Sequence, residues 1–234
     1  MPPRRSPERL LVIVDAAAEV FAEVGFATAQ MVDIARVAGV SVGTLYNYVE
    51  GKGALLLLCA ERPFADITAG RALPVPAPDR RELIARLDET LAEHVRVDAL
   101  ERALAGSVRA AAVDAQLCEI VGELFDLIAA TRVGADAMER SALEAPDLAE
   151  LFYRRVRVRI LEQLTAYFER TNVARRLPAP ITADLAARST LETVTWWARH
   201  RHRDPAPPPI NDTQAREVAI TLVTHSLTPL TTDQ

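Results

Sequence analysis

Residues 30–49, QMVDIARVAGVSVGTLYNYV, gather the densest set of side chains able to recognise another molecule. Ser41, Thr44, Tyr46 and Asn47 bring hydroxyl and amide groups within one short stretch, and Lys52, the sole lysine of the chain, follows closely. Small polar groups beside Gly43 suit hydrogen bonds to phosphates and base edges, the chemistry of groove recognition. Catalytic chemistry finds no comparable group. No GxSxG, HExxH or GxGxxG run occurs. Gly51-Lys52-Gly53 fails as a phosphate loop, because Tyr46 stands where its first glycine belongs and no Ser or Thr follows the lysine. His200 and His202, two apart, face different sides of a helix and cannot chelate one metal together. Cys59 and Cys118 have no CxxC spacing and read as buried hydrophobes. The residues therefore imply no metal, no cofactor and no enzyme.

Those polar side chains need two helices to hold them. Met31–Ala38 and Val42–Val49 read as helical and are joined only by Gly39-Val40-Ser41, the arrangement of a helix-turn-helix. Gly39 supplies the left-handed backbone of the corner. Ala35 is small where the second helix crosses, Ser41 caps that helix, and Ile34, Ala38, Val40, Leu45 and Tyr48 lock the crossing. Val42, Gly43, Thr44, Tyr46 and Asn47 remain outward, a small polar surface able to enter a major groove. Upstream, residues 9–24 place Ile13, Ala17, Val20, Phe21 and Val24 on one helical stripe that Gly25 ends. Downstream, a fourth helix begins near Lys52 and stops around Pro63.

The run DIARVAGVSVGTLYNYVEGKGALL, preceded by DAAAEVFAEVGF, resembles the N-terminal domain of TetR-type transcriptional regulators. The resemblance covers about residues 9–58. It implies a recognition helix over Ser41–Tyr48, with Tyr46 and Lys52 on phosphates, Gly43 and Thr44 close to base edges, and Tyr48 beside the backbone. Gln30, Met31, Ser41, Val42 and Asn47 complete the implied DNA-facing set. Several positions depart from the family pattern: Val42 replaces a common lysine, Val49 a phenylalanine, Ala29-Gln30 a Thr/Ser pair and Val32 an arginine. Each of the polar losses weakens the electrostatic grip. Residues 1–55 carry five basic side chains (Arg4, Arg5, Arg9, Arg36, Lys52) against six acidic ones, so the head should bind weakly as a monomer and rely on pairing.

The chain has 234 residues, half of them hydrophobic, with few aromatics and 9 glycines, which favours an all-α fold. A net charge of −5 argues against coating nucleic acid non-specifically. Two cysteines make no disulfide framework, no apolar run is long enough to span a membrane, and Met1–Leu10 has no apolar leader core; a cytoplasmic protein is expected. Leu73-Pro74-Val75-Pro76-Ala77-Pro78 cannot be helical and marks the best boundary between a DNA-binding domain (9–58) and a helical body (79–228). Body helices are expected over about 79–113, 115–143, 147–171, 181–202 and 213–227, the third carrying the ladder Leu148, Phe152, Val156, Ile160, Leu164, Phe168.

The resemblance implies that this body pairs with a second copy and binds an effector. The last two helices, rich in Leu185, Leu191, Val194, Trp196, Trp197, Val218, Leu222, Val223 and Leu227, are the expected seam. Leu104, Val108, Leu124, Phe125, Ile128, Phe152, Val156 and Trp196 are the expected pocket lining, apolar enough to suit a small hydrophobic ligand. The reading is thus a homodimeric repressor released from a palindromic, double-stranded operator by such a ligand. Control by a protein partner, or a helical binding module or enzyme with a vestigial helix-turn-helix, are the competing readings.

Overall fold

Helix boundaries fall where glycine, proline and capping residues interrupt the apolar periodicity. The structure, a computed structural model, describes residues 6–106, 113–171 and 180–227. Among these residues every regular element is a helix, and the sole strand-like feature is an isolated parallel bridge between Val49 and Val75. The all-α expectation holds.

Helix α1 spans Pro7–Thr28, with proline in the first turn, where a missing N–H costs nothing. Gly25, at φ +81°, breaks the helical path as the sequence leads one to expect, and a further turn reaches Thr28. Next come α2 (Met31–Val37), α3 (Val42–Tyr46) and α4 (Lys52–Glu61). Leu10, Ile13, Ala17 and Phe21 of α1, Ile34 and Ala35 of α2, Leu45 of α3 and Leu55–Leu58 of α4 bury together as one core. The proline segment is pinned to this core. Val75 donates its N–H to the Tyr48 carbonyl at 2.8 Å and accepts from Glu50 N–H at 2.9 Å.

The single helix expected over 79–113 is two. Asp79 caps α5 (Arg80–His94) by accepting from Glu82 N–H at 2.8 Å. The chain then leaves the helix at Val95 and re-enters as α6 (Asp98–Ala105) after an extended Val97. Both valines are buried, so two β-branched side chains flanking Arg96 gain more from burial than from one more helical turn. Helix α7 covers Val113–Ala142.

Helix α8 (Pro146–Ala149) runs into a π-helical stretch, Glu150–Val158, and then into α9 (Arg159–Thr171). The π turn explains where the expected ladder departs. Leu148, Ile160, Leu164 and Phe168 are buried, whereas Phe152 and Val156 are half-buried and Leu151 takes the inward place. Wider i→i+5 turns no longer stack residues four apart. Helix α10 (Ala183–Ala198), a 3₁₀ turn (His200–Arg203) and α11 (Asp212–Leu227) complete the described chain.

The residues divide into two compact units. One comprises the chain up to Val95 together with Val133–Val156, and the other comprises Arg96–Arg132 together with the chain from Arg157 onward. In the second, α10 packs on α9 and α11, and α6 packs on α9. Leu191, Val194, Ala198, Ala215, Ala219 and Val223 are buried there.

Candidate nucleic-acid interface

The corner between α2 and α3 is built as its residue types require. Gly39 adopts φ +65° and stands in open space, so its conformation rather than crowding demands glycine. Gly39 N–H donates to the Arg36 carbonyl at 3.2 Å and Val40 N–H to that of Ala35 at 3.0 Å. Ser41 Oγ accepts from Thr44 N–H at 3.0 Å, capping α3, and lies 2.8 Å from Thr44 Oγ1. Ile34, Ala35 and Leu45 are fully buried beneath the crossing, while Ala38 and Val40 are half-buried against it.

What α3 leaves open is a short polar strip. Ser41, Gly43, Tyr46 and Asn47 are exposed, Tyr46 at 47% despite its size. Val42 and Thr44 are half-buried, and Val42 packs against the core. On α2, Gln30 is exposed at the N-cap, Met31 is half-buried, Val32 is 53% exposed, and the exposed Arg36 lies 3.7 Å from Asp33. A phenol, an amide and an uncrowded glycine backbone can together meet phosphates and base edges. Arg4 and Arg5 lie outside the described residues.

Two residues of the implied DNA-facing set sit differently. Tyr48 is buried, and its hydroxyl accepts from Ser6 N–H at 3.0 Å, so its ring belongs to the core. Lys52, half-buried at the start of α4, donates to the carbonyls of Phe26 and Ala27 at 2.8 Å each and of Ala29 at 3.2 Å. Its ammonium also lies 4.9 Å from the centre of the Phe26 ring. Burial, and then the Arg80 charge, lower its pKa from the ordinary lysine value.

Arg80 was invisible as a neighbour of this site in the sequence. Its guanidinium lies 5.5 Å from the centre of the same Phe26 ring, and its Nε donates to Asp147 Oδ2 at 2.8 Å. Phe26 N–H donates in turn to Ser141 Oγ at 2.9 Å. No local signal marks these pairings, which join residues 67 and 115 apart in the chain.

The residues read as a pocket lining are distributed over both units. Leu124 and Phe125 are buried in the core around α7, Leu104 and Ile128 are half-buried, and Trp196 stacks edge-on against Trp197 at 4.8 Å. Phe152 and Val156 belong to the other unit, where Phe152 packs on the head core. Val108 lies outside the described residues. A surface groove of about 360 Å³ on α9 and α10 is lined by Val158, Leu161, Glu162, Thr165, Ala166, Glu169, Asp184 and Arg188, none of them from that set. Among the described residues no cluster could hold a metal ion, and no helix is long and apolar enough to cross a membrane.

Residues 13–59 match the family model described as bacterial regulatory proteins, tetR family, so the resemblance read from the head is sound. Solved structures share the fold. The TetR family transcriptional regulator PfmR from Thermus thermophilus is 20% identical, with 93% of this chain and 98% of that one covered at a TM-score of 0.54. A TetR-like regulator from Rhodococcus sp. is 18% identical over 95% and 97%, with a TM-score of 0.51. AibR, solved in complex with isovaleryl coenzyme A and operator DNA, is 16% identical over 92% and 97%, with a TM-score of 0.50. Among curated proteins nothing matches the chain.

Proposed function

We propose that this chain, whose residues 13–59 belong to the tetR family of bacterial regulatory proteins, is a transcriptional regulator that binds operator DNA as a homodimer. The observation that carries the reading is the capped α3 helix. Its inner residue Leu45 is locked into the core, while Tyr46, Asn47 and Gly43 stand outward on a surface free of bulky charge. Tyr46 takes a phosphate; Thr44 and Asn47 set base preference.

Pairing follows from the apolar surface of the body. The expected seam of α10 and α11 is only partly spent inside the unit: Leu191, Val194, Val223 and Leu227 are buried, whereas Leu185 and Leu222 stay exposed at 46% and 48%. Val158, the last residue of the π-helical stretch, and Leu185 of α10 stay exposed, Val158 beside Leu161 and Ala166 of the groove, and we place the two-fold contact there. A two-fold dimer then reads an inverted repeat through two α3 helices about 34 Å apart. Repression released by a small apolar ligand completes the reading. Control by a ligand is supported by the fold shared with AibR, which was solved with isovaleryl coenzyme A and operator DNA; that ligand is apolar only in its acyl chain, so the apolar character proposed here rests on the composition of the body alone. A hundredfold release needs a ligand that favours the non-binding state by about 2.7 kcal/mol.

The test is selection of binding sites from random duplex DNA by the full chain. Enrichment of an inverted repeat, with Asn47→Ala changing the preferred bases and Tyr46→Phe weakening all sites evenly, is the expected result. Failure to enrich any sequence would sink the reading.

A further inference from the structure

The only lysine of the chain stands at the first position of α4, where the family resemblance implies a phosphate contact. Its surroundings point elsewhere. An ammonium has three donors, and Lys52 Nζ reaches three carbonyl oxygens: Phe26 and Ala27 at 2.8 Å and Ala29 at 3.2 Å. Phe26 and Ala27 belong to the last turn of α1, whose carbonyls have no partner within the helix. Ala29 immediately precedes Gln30, the N-cap of α2. One side chain therefore fastens the end of α1 and the entry to α2 onto the start of α4. A cation at a helix C-terminus is also favoured by the helix dipole.

We infer that Lys52 is a positioning residue for DNA recognition, a clamp that sets the α2–α3 pair against α1 and α4, rather than a phosphate ligand. The inference rests on the DNA-binding reading above for its functional consequence. A phosphate oxygen has to displace at least one of the three carbonyls to gain a donor, and the displaced carbonyl then loses its partner. The aromatic ring beneath reinforces the clamp: Phe26 lies within 5 Å of the ammonium, and its own N–H is tied to Ser141 Oγ at 2.9 Å. Arg80, near the same ring, is held by Asp147. The α1–α2 junction is thus fixed from α4, α5, α7 and α8 at once.

A sole lysine allows a charge-preserving test. Reductive dimethylation of the full chain with ¹³C-formaldehyde leaves Lys52 positive but cuts its donors from three to one. The Lys52→Arg chain, treated in the same way, is the blank for the α-amino group. Operator affinity is measured against salt, and melting is measured without DNA. A clamp predicts that the methylated wild type melts lower without DNA and binds on the order of tenfold more weakly, with its salt slope unchanged. It predicts the same pattern for Lys52→Ala. A phosphate ligand predicts unchanged melting in both, near-normal binding after methylation, and a slope for Lys52→Ala shallower by about 0.9, the loss of one phosphate contact. That result overturns the inference. If the wild type selects no DNA, the regulator reading fails on its own, while the DNA-free melting shift still decides whether the clamp exists.

Discussion

Replacing Gly25 by alanine tests how the head is held. Gly25 is buried, with φ +81° and ψ 160°, a region that side chains other than glycine's essentially never occupy. Holding alanine there costs about 1–3 kcal/mol. Its Cβ also meets Glu144 Oε2 at 2.8 Å, closer than real contacts allow. That oxygen ends a flexible side chain, so the carboxylate swings away. In doing so it gives up its 3.0 Å pairing with Arg140 and its 3.4 Å bond from Thr28, worth at most about 1 kcal/mol at this exposure. Against this, alanine lowers the unfolded chain's entropy, offsetting about 0.4–1 kcal/mol. The net loss expected for Gly25→Ala is about 2 kcal/mol. Urea unfolding of the DNA-free chain, followed by far-ultraviolet circular dichroism, measures it. Adding Glu144→Ala relieves the clash but leaves the backbone strain, and it cannot restore the Arg140 and Thr28 contacts, so the double variant should recover less than half of the loss. A Gly25→Ala chain within about 0.5 kcal/mol of wild type, or one fully restored by Glu144→Ala, refutes the conformational argument.

Ser41→Ala removes the acceptor for Thr44 N–H at the start of α3 and should cost about 1 kcal/mol in the same urea experiment, with Ser41→Asp restoring most of it. Tyr48→Phe leaves Ser6 N–H without its phenol partner, costing about 1 kcal/mol without changing the selected DNA sequence. The Arg80 hydrogen bonds hold the Asp147 carboxyl below the ordinary carboxylate range. Because the folded pKa is depressed, this stabilisation is complete above the unfolded carboxyl's pKa and is lost as pH falls through the folded one. Arg80→Gln should therefore flatten the acid side of the stability profile, and an unchanged acid limb counts against the pairing.

The head was legible because its signals are local. The stripe through Ile13, Ala17 and Phe21, the corner glycine at 39 and the hydroxyl at 41 each act over one helical turn, so spacing alone reveals them. The body was less legible. Val95 and Val97 split an expected helix because burial outweighed propensity, and the π turn at Glu150–Val158 shifted the inward positions of a ladder that four-residue spacing made look continuous. The open face of α10 followed the same logic. Leu185 and Leu191 are equally apolar in the sequence, yet only Leu185 is left exposed, at 46%, once α9 and α11 have packed.

The sequence by itself determined the order of the first four helices, the turn between the second and third, and the polar strip of the third. Those features depend on backbone preferences and on interactions reaching four residues or fewer. Tertiary structure alone decided what each cation does. Lys52 finds acceptors 23 to 26 residues away, and Arg80 finds a carboxylate 67 residues away. A long, flexible side chain can reach many partners, and which of them it meets is set by how the chain is routed through the core.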